Sequence, residues 1–414
     1  MSYADAAQRV RYEWGGMLGG KHIVLGVSGS IAAYKAVYLA RLCLEAGADV
    51  WPVLTAAATR FVGPLTFSAL CGHRAVTDLW AQAEAGEIGH VELAHRASLV
   101  AIAPATADTL ARVALGRADD PLGAICLATR APLLVAPAME SGMWLHEATQ
   151  ASVATLRQRG AIVVEPEAGQ LGSGREGIGR LADPERILAH ILRALSPQDL
   201  RGRRLLVTAG PTREYADPVR FLSNGSSGKM GYALAAVAWR RGAEVVLVSG
   251  PTTLPAPVGV SLVPVVSALE MLEACRTHLS AADALIMAAA PADHRPRVRA
   301  PEKRKKVDAD SAPFELVENP DILRVLTPRQ RGKLAVGFAA ETERLVEHAR
   351  TKLDDKDLDF IVANDVSRSD AGFATDNNAV AILDRLGGLA ELSTRPKEDI
   401  ASAILDRVAA RLAG

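Results

Sequence analysis

Apolar residues along the chain fall into short β-branched runs that alternate with longer stretches of helical spacing. KHIVLGVSG is a β-branched run closed by glycine, AYKAVYLARLCLEAGA repeats its apolar positions at the period of a helix, and DVWPVLT is a second short run. That order predicts a βαβ unit, since parallel strands need a crossover between them. The same order returns at RRLLVTAGPT, GYALAAVAWRRGA and EVVLVSGPT. EAGADV and RRGAEV match in place and kind, each a glycine helix stop feeding a strand, and QRGAIVVEP repeats the device. The pattern predicts an α/β protein of two doubly wound parallel-sheet domains rather than a short-period solenoid.

Between the two halves LAHILRAL closes a helix, and SPQDLRGR is short, polar and proline-bearing. The expected organisation is an N-terminal extension at 1–20, a first domain at 21–195, a linker at 196–203 and a second domain at 204–414. A second irregular stretch, DHRPRVRAPEKRKKVDADSAP, carries a basic run that begins at Lys303. Taken alone, such a run reads as a solvated loop.

Composition narrows the class. The 414 residues exceed one ordinary domain of roughly 100–200 residues. Lys and Arg number 47, as do Asp and Glu, so nothing favours a nucleic acid or a membrane surface as partner, and small-molecule substrates are expected. Hydrophobic residues make up 49% but aromatics only 4%, which suits Ala-, Val- and Leu-rich helices packed on parallel strands. Cys43, Cys71, Cys126 and Cys275 are isolated and lack zinc-site spacing, so they read as buried thiols. No apolar run approaches the roughly 20 residues of a membrane span, and MSYADAAQRVRYEWGG lacks the apolar region of a signal peptide. A cytoplasmic enzyme is the expectation.

Two loops carry candidate chemistry. RFLSNGSSGKMG ends in a lysine before a helix, but a Walker loop needs four residues between its glycines and a Ser or Thr after the Lys. Here Ser226 and Ser227 alone separate Gly225 from Gly228, and Met230 follows Lys229. The loop can hold an anion on backbone N–H groups without being a hydrolytic P-loop. GVSGSIAAYKA places Gly26, Gly29 and Ser30 between a strand and a helix, a pattern that differs from the dinucleotide GxGxxG and suits a mononucleotide phosphate. SLVAIAPATADT and PLLVAPAM end two further strands, and ligands collect at such carboxyl ends.

GVSGSIAAYKA, GHVELAHRASLVAIAPATADT, PAMESGMW and GRLADP resemble the flavin-dependent phosphopantothenoylcysteine decarboxylases. The second half resembles the phosphopantothenate–cysteine ligases, and from Lys21 onward the chain is similar to the bifunctional coenzyme A biosynthesis family that fuses the two. The resemblance implies a flavoprotein-like domain followed by a Rossmann-like ligase domain. It implies that FMN oxidises the substrate thiol, that the thioaldehyde loses carbon dioxide, and that reduced FMN then reduces the enethiol. FMN is assigned to Gly29, Ser30, Thr55, Pro104, Ala105 and Thr106, with His90 as the active-site histidine. Where the family carries Asn, Asn and a proton-donating Cys, this chain has Asp108, Glu140 and Ser173. A hydroxyl is a far poorer acid than a thiol of pKa about 8.5. Glu140, its pKa raised by desolvation, is therefore a candidate proton donor.

For the ligase the resemblance implies CTP with Mg2+, an acyl-cytidylate and release of pyrophosphate. Asn224 and Arg220 are expected to act at the acyl-cytidylate stage. The nucleotide is expected on Asp293, Lys303, Asn319, Pro320, Asp321, Ile322, Phe338, Lys352 and Lys356. His294 and Pro291 depart from the family pattern and bear on the choice of CTP over ATP. The metal ligands are unassigned, and a homo-oligomer is implied. Two readings stand. One is a bifunctional enzyme that makes 4′-phosphopantetheine from 4′-phosphopantothenate and cysteine. The other is an active ligase fused to a flavin-binding but impaired decarboxylase-like domain.

Overall fold

The computed structural model describes residues 15–80, 89–303, 315–326, 328–341, 343–365 and 375–413, and the chain divides into two compact units, Met1–Ser196 and Pro197–Gly414. Both are doubly wound α/β folds. No helix among the described residues is long and apolar enough to cross a membrane.

In the first unit the predicted runs become β1 (His22–Val27), β2 (Asp49–Leu54), β3 (Leu99–Ala105), β4 (Leu133–Pro137) and β5 (Ile162–Val163). They form a parallel sheet in the order β2-β1-β3-β4-β5. Alternate side chains feed two cores. Ile23, Leu25, Leu99 and Ala101 face one side with Leu39, Ile187 and Ile191, while Val24, Val100, Ile102 and Val135 face the other with Leu122 and Trp144. A sheet covered on both faces is why these strands read as continuous apolar runs. A short antiparallel hairpin, β6 (Glu167–Gln170) and β7 (Glu176–Arg180), follows the sheet.

The second unit contains β8 (Arg204–Ala209), the small strands β9 (Glu214–Tyr215) and β10 (Phe221–Leu222), then β11 (Glu244–Ser249), β12 (Ser261–Pro264) and β13 (Ala284–Met287). After β14 (His294–Pro296) and β15 (Leu316–Glu318) come β16 (Leu334–Glu341), β17 (Phe360–Asp365), β18 (Asn377–Asp384) and β19 (Leu389–Pro396). The main sheet runs β12-β11-β8-β13-β16-β17-β18-β19. Its six parallel strands follow the 3-2-1-4-5-6 order of dinucleotide-binding sheets. The antiparallel pair β18–β19 extends it, a hairpin absent from the expected parallel pattern. Leu206, Leu285, Ala335, Ile361 and Ala363 bury one face under the helices Ala268–Leu279 and Leu345–Asp355. The helices Lys229–Arg240 and Lys397–Ala413 pack together on the other face.

Candidate functional site

A cavity of about 450 Å³ opens at the carboxyl ends of β13, β16 and β17. The chain order of the sheet reverses between β8 and β13, and ligands settle outside the strand ends at such a point. Side chains pin the two crossing loops there: Ala289 N–H donates to Thr208 Oγ1 (3.1 Å) and Ala292 N–H to Thr212 Oγ1 (3.0 Å). Gly228, at φ 80°, caps the helix Lys229–Arg240 in the left-handed region that favours glycine. A Cβ on Gly231 would lie 2.6 Å from Thr208 O, so this glycine lets the helix approach β8. Ser226, Ser227 and Lys229 consequently line the cavity.

Asp293, Asn319, Pro320, Asp321, Ile322, Phe338, Lys352 and Lys356 all line it as well. They come from four separate stretches of sequence and meet at the carboxyl ends of the strands. Asn319 is a bracket: its Nδ2 donates to Ala292 O (2.8 Å), its Oδ1 accepts from Arg295 Nη1 (3.0 Å), and its N–H donates to Asp293 O (2.7 Å). Lys352 pairs with Glu341 at 2.6 Å and Lys356 with Asp321 at 3.0 Å. Lys303 is exposed and is absent from the cavity lining, and Arg304–Lys306 of the basic run lie outside the described residues.

Asn224 is tied to the cavity rim, where its Nδ2 donates to Pro291 O (2.9 Å) and Ala290 O (3.3 Å). Arg220 is held lower in the same loop by Asp217, with Nε donating to Oδ2 at 2.8 Å. Burial alone would push the Asp217 carboxyl up, but the Val219 and Arg220 N–H groups and the Arg220 guanidinium together hold it well below the usual range.

In the first unit the expected flavin residues gather at the carboxyl ends of β1, β2 and β3. Ser28 Oγ donates to Pro104 O (2.7 Å) and accepts from Thr106 N–H (3.0 Å), locking the first loop to the third. A Cβ on Gly29 would lie 2.4 Å from Ala57 Cβ, so the backbone there can be crowded only without a side chain. Thr55 Oγ1 accepts from Ala58 N–H (3.2 Å), and Ser30 Oγ accepts from Ala32 N–H (3.2 Å). Pro104 and Ala105 end β3, and Thr106 caps the helix Ala107–Leu115. Asp108 turns to Arg112 at 3.0 Å.

Glu140 and Ser173 meet. Ser141 Oγ donates to Ile178 O (2.6 Å) and Met139 N–H to Gly179 O (3.0 Å), which clamps β7 against the segment after β4. The tip of the hairpin then brings Ser173 Oγ to 2.9 Å from Glu140 Oε2, as donor. His90 lines a different hollow, with Leu79, Trp80, Ala118, Ala124, Leu127 and Ala128. Burial pushes the thiols of Cys43, Cys126 and Cys275 up to about 12 and that of Cys71 up to about 11.

The family models divide the chain in the same sense. The Flavoprotein model matches residues 12–196, and that of the DNA/pantothenate metabolism flavoprotein C-terminal domain matches residues 200–412. A coenzyme A biosynthesis bifunctional protein CoaBC from Vibrio cholerae is 45% identical over 390 residues, covering 94% of this chain and 98% of its own length. The chain belongs to that family. The protein of the same description from Mycobacterium bovis is 47% identical over 410 residues, covering 95% of this chain and 97% of its own. A solved C-terminal domain of a CoaBC protein is 43% identical, covering 52% of this chain and 98% of its own, with a TM-score of 0.45.

Sequence reasoning missed several residues of the family's second unit. Lys397, 6% exposed, along with Asn378 and Asn364, lines the same cavity. Lys397 opens a helix, against the dipole rule that favours acids there, and that mismatch was the available signal. Ser28 lies inside the glycine motif GVSGS, and its buried hydroxyl has no signal in the sequence separate from those glycines.

Proposed function

We propose that the chain makes 4′-phosphopantetheine from 4′-phosphopantothenate and cysteine, with a ligase at 204–414, a decarboxylase at 21–195 and a linker at 196–203. The carrying observation is the convergence of Asp293, Asn319, Asp321, Phe338, Lys352 and Lys356 on one cavity at the switch point of the second sheet. In the ligase step the substrate carboxylate attacks the α-phosphorus of CTP, giving an acyl-cytidylate and pyrophosphate. The cysteine amine then attacks the acyl carbon, an amide forms, and CMP leaves. Mg2+ comes with the triphosphate oxygens, its natural ligands. Lys352 and Lys356 exchange Glu341 and Asp321 for phosphate oxygens, while Asn224 and Arg220 orient the acyl group and Lys303 closes on the nucleotide.

For the first unit the Ser28–Thr106 lock and the crowding at Gly29 fit a phosphate held by backbone N–H groups, so Gly29, Ser30, Thr55, Pro104, Ala105 and Thr106 would hold FMN. Bound there, FMN supplies the two-electron oxidation of the substrate thiol and the return of those electrons after carbon dioxide leaves. Glu140 gives the proton that a thiol gives elsewhere in the family, and Ser173 holds its carboxyl in place. His90 acts from its own hollow, and a homo-oligomer that completes the site, working in the cytoplasm, is part of the same reading. The second reading, FMN binding without turnover, draws on Ser173 and Glu140: a hydroxyl stands where the family has a thiol, and it is a far poorer acid.

The test gives the wild type 4′-phosphopantothenate, cysteine, CTP and Mg2+, and follows pyrophosphate, carbon dioxide and phosphopantetheine. All three are expected. Absence of pyrophosphate rejects the ligase, and pyrophosphate without carbon dioxide selects the second reading.

A further inference from the structure

Lys229 and Lys397 are the first residues of the two helices that cover one face of the second sheet, and both line the ligase cavity. Asp376 joins them: its Oδ1 is 2.6 Å from Lys229 Nζ, and its carbonyl accepts the Lys397 N–H at 3.0 Å. The two helix starts therefore lie side by side. A helix N-terminus repels a cation, so lysine at both starts brings two ammonium groups and two positive dipole ends to one place. Lys352 lies on the helix that covers the opposite face, and Lys356 caps its carboxyl end.

An independent feature points to a ligand. Asn364, 8% exposed, lines the same cavity, and its Oδ1 is buried with no hydrogen-bond partner among the described residues. Leaving such an atom unsatisfied is costly, and a carboxamide can turn either its oxygen or its NH2 group to an incoming partner. Asn378, 3% exposed, stands on the neighbouring strand.

We propose that Lys229 and Lys397, backed by the two helix N-termini and by Asn364, form a phosphate subsite separate from Lys352 and Lys356. Its occupant is a phosphate group of one of the two phosphorylated substrates, the monoester of the acid or the terminal phosphates of the nucleotide. The proposal rests on the ligase reading. Burial first and then the Lys229 ammonium bring Lys397 down to about 8, with Asp376 pulling the other way, and an arriving anion would offset the repulsion between the two ammonium groups.

The experiment compares full-length wild type with Lys397→Met and Lys229→Met by pyrophosphate release and by calorimetric titration with inorganic phosphate and pyrophosphate. Each variant is expected to raise one substrate's KM about tenfold or more, the loss of one charge-assisted contact. A rise for 4′-phosphopantothenate alone identifies the monoester, and a rise for CTP with weakened pyrophosphate binding identifies the nucleotide. Both KM values within about twofold of wild type, with unchanged phosphate and pyrophosphate affinity, overturn the subsite. If Lys397→Met does not fold, Lys229→Met decides on the same terms. If the wild type releases no pyrophosphate, the ligase reading has failed, and the titrations alone judge the subsite: pyrophosphate or phosphate affinity lost in the variants upholds it, and affinity retained overturns it.

Discussion

The two units use related sheets but assemble their sites differently. In the second, side chains from distant stretches meet in one cavity of a single chain, and most expected nucleotide residues line it together. In the first, the expected residues stay in two places, with Glu140 and Ser173 in contact and His90 in a hollow of its own. A switch-point cavity needs only the strand order to form, so one chain suffices. The first unit leans on its β6–β7 hairpin instead, whose tip carries Ser173 to Glu140.

The sharpest way to break this comparison is at the ligase. Lys303→Gln and Asn224→Asp should each lower CTP-dependent pyrophosphate release or amide formation by about 1,000-fold, because each removes a group acting where charge develops. Wild-type-like ligation by both would mean that the cavity alone is sufficient. In the first unit, Glu140→Gln should keep carbon dioxide release while phosphopantetheine formation falls about 100-fold, the usual scale of a lost general acid. An unchanged rate of phosphopantetheine formation rejects the acid role.

A smaller effect is expected at the flavin loop. The wild type should purify yellow with about one FMN per chain, and Gly29→Ala, which drives a Cβ into Ala57, should weaken FMN retention about tenfold through overpacking of about 1–3 kcal/mol. Colourless wild type that takes up no added FMN removes the site. The smallest effect concerns stability. The Arg241 guanidinium, donating to Asp199, holds that carboxyl below its ordinary range of about 3.9. A depressed folded pKa stabilises above the unfolded value and is lost as pH falls through the folded one. Asp199→Asn should lower the unfolding temperature at pH 7, and the gap to wild type should close progressively below about pH 4. A gap independent of pH would mean that the pair acts only through packing.

Much of this was legible in the sequence. KHIVLGVSG, DVWPVLT, RRLLVTAGPT and EVVLVSGPT are apolar because they are covered on both faces, and they became β1, β2, β8 and β11. The hairpin β18–β19 was not read. Its last strand is a half-exposed edge, and a weak alternation such as LAELSTRP looks much like loop. Lys397 escaped because burial and cavity lining depend on tertiary placement, to which a lysine at a helix start gives no local clue beyond its mismatch with the dipole. The contact between Ser173 and Glu140 escaped for a similar reason: their separation of 33 positions is closed by hydrogen bonds from the Met139 N–H and the Ser141 hydroxyl to β7.

Glu341 and Asp321 give the ligase cavity resident counter-charges, since each already holds one of its lysines. Any visiting anion competes with a carboxylate tethered at high local concentration. Chloride or acetate, with one charge to offer, gains little by the exchange, whereas a polyphosphate can satisfy both lysines at once. The protein's own acids thus set a threshold of charge density that a visitor to this pocket must exceed.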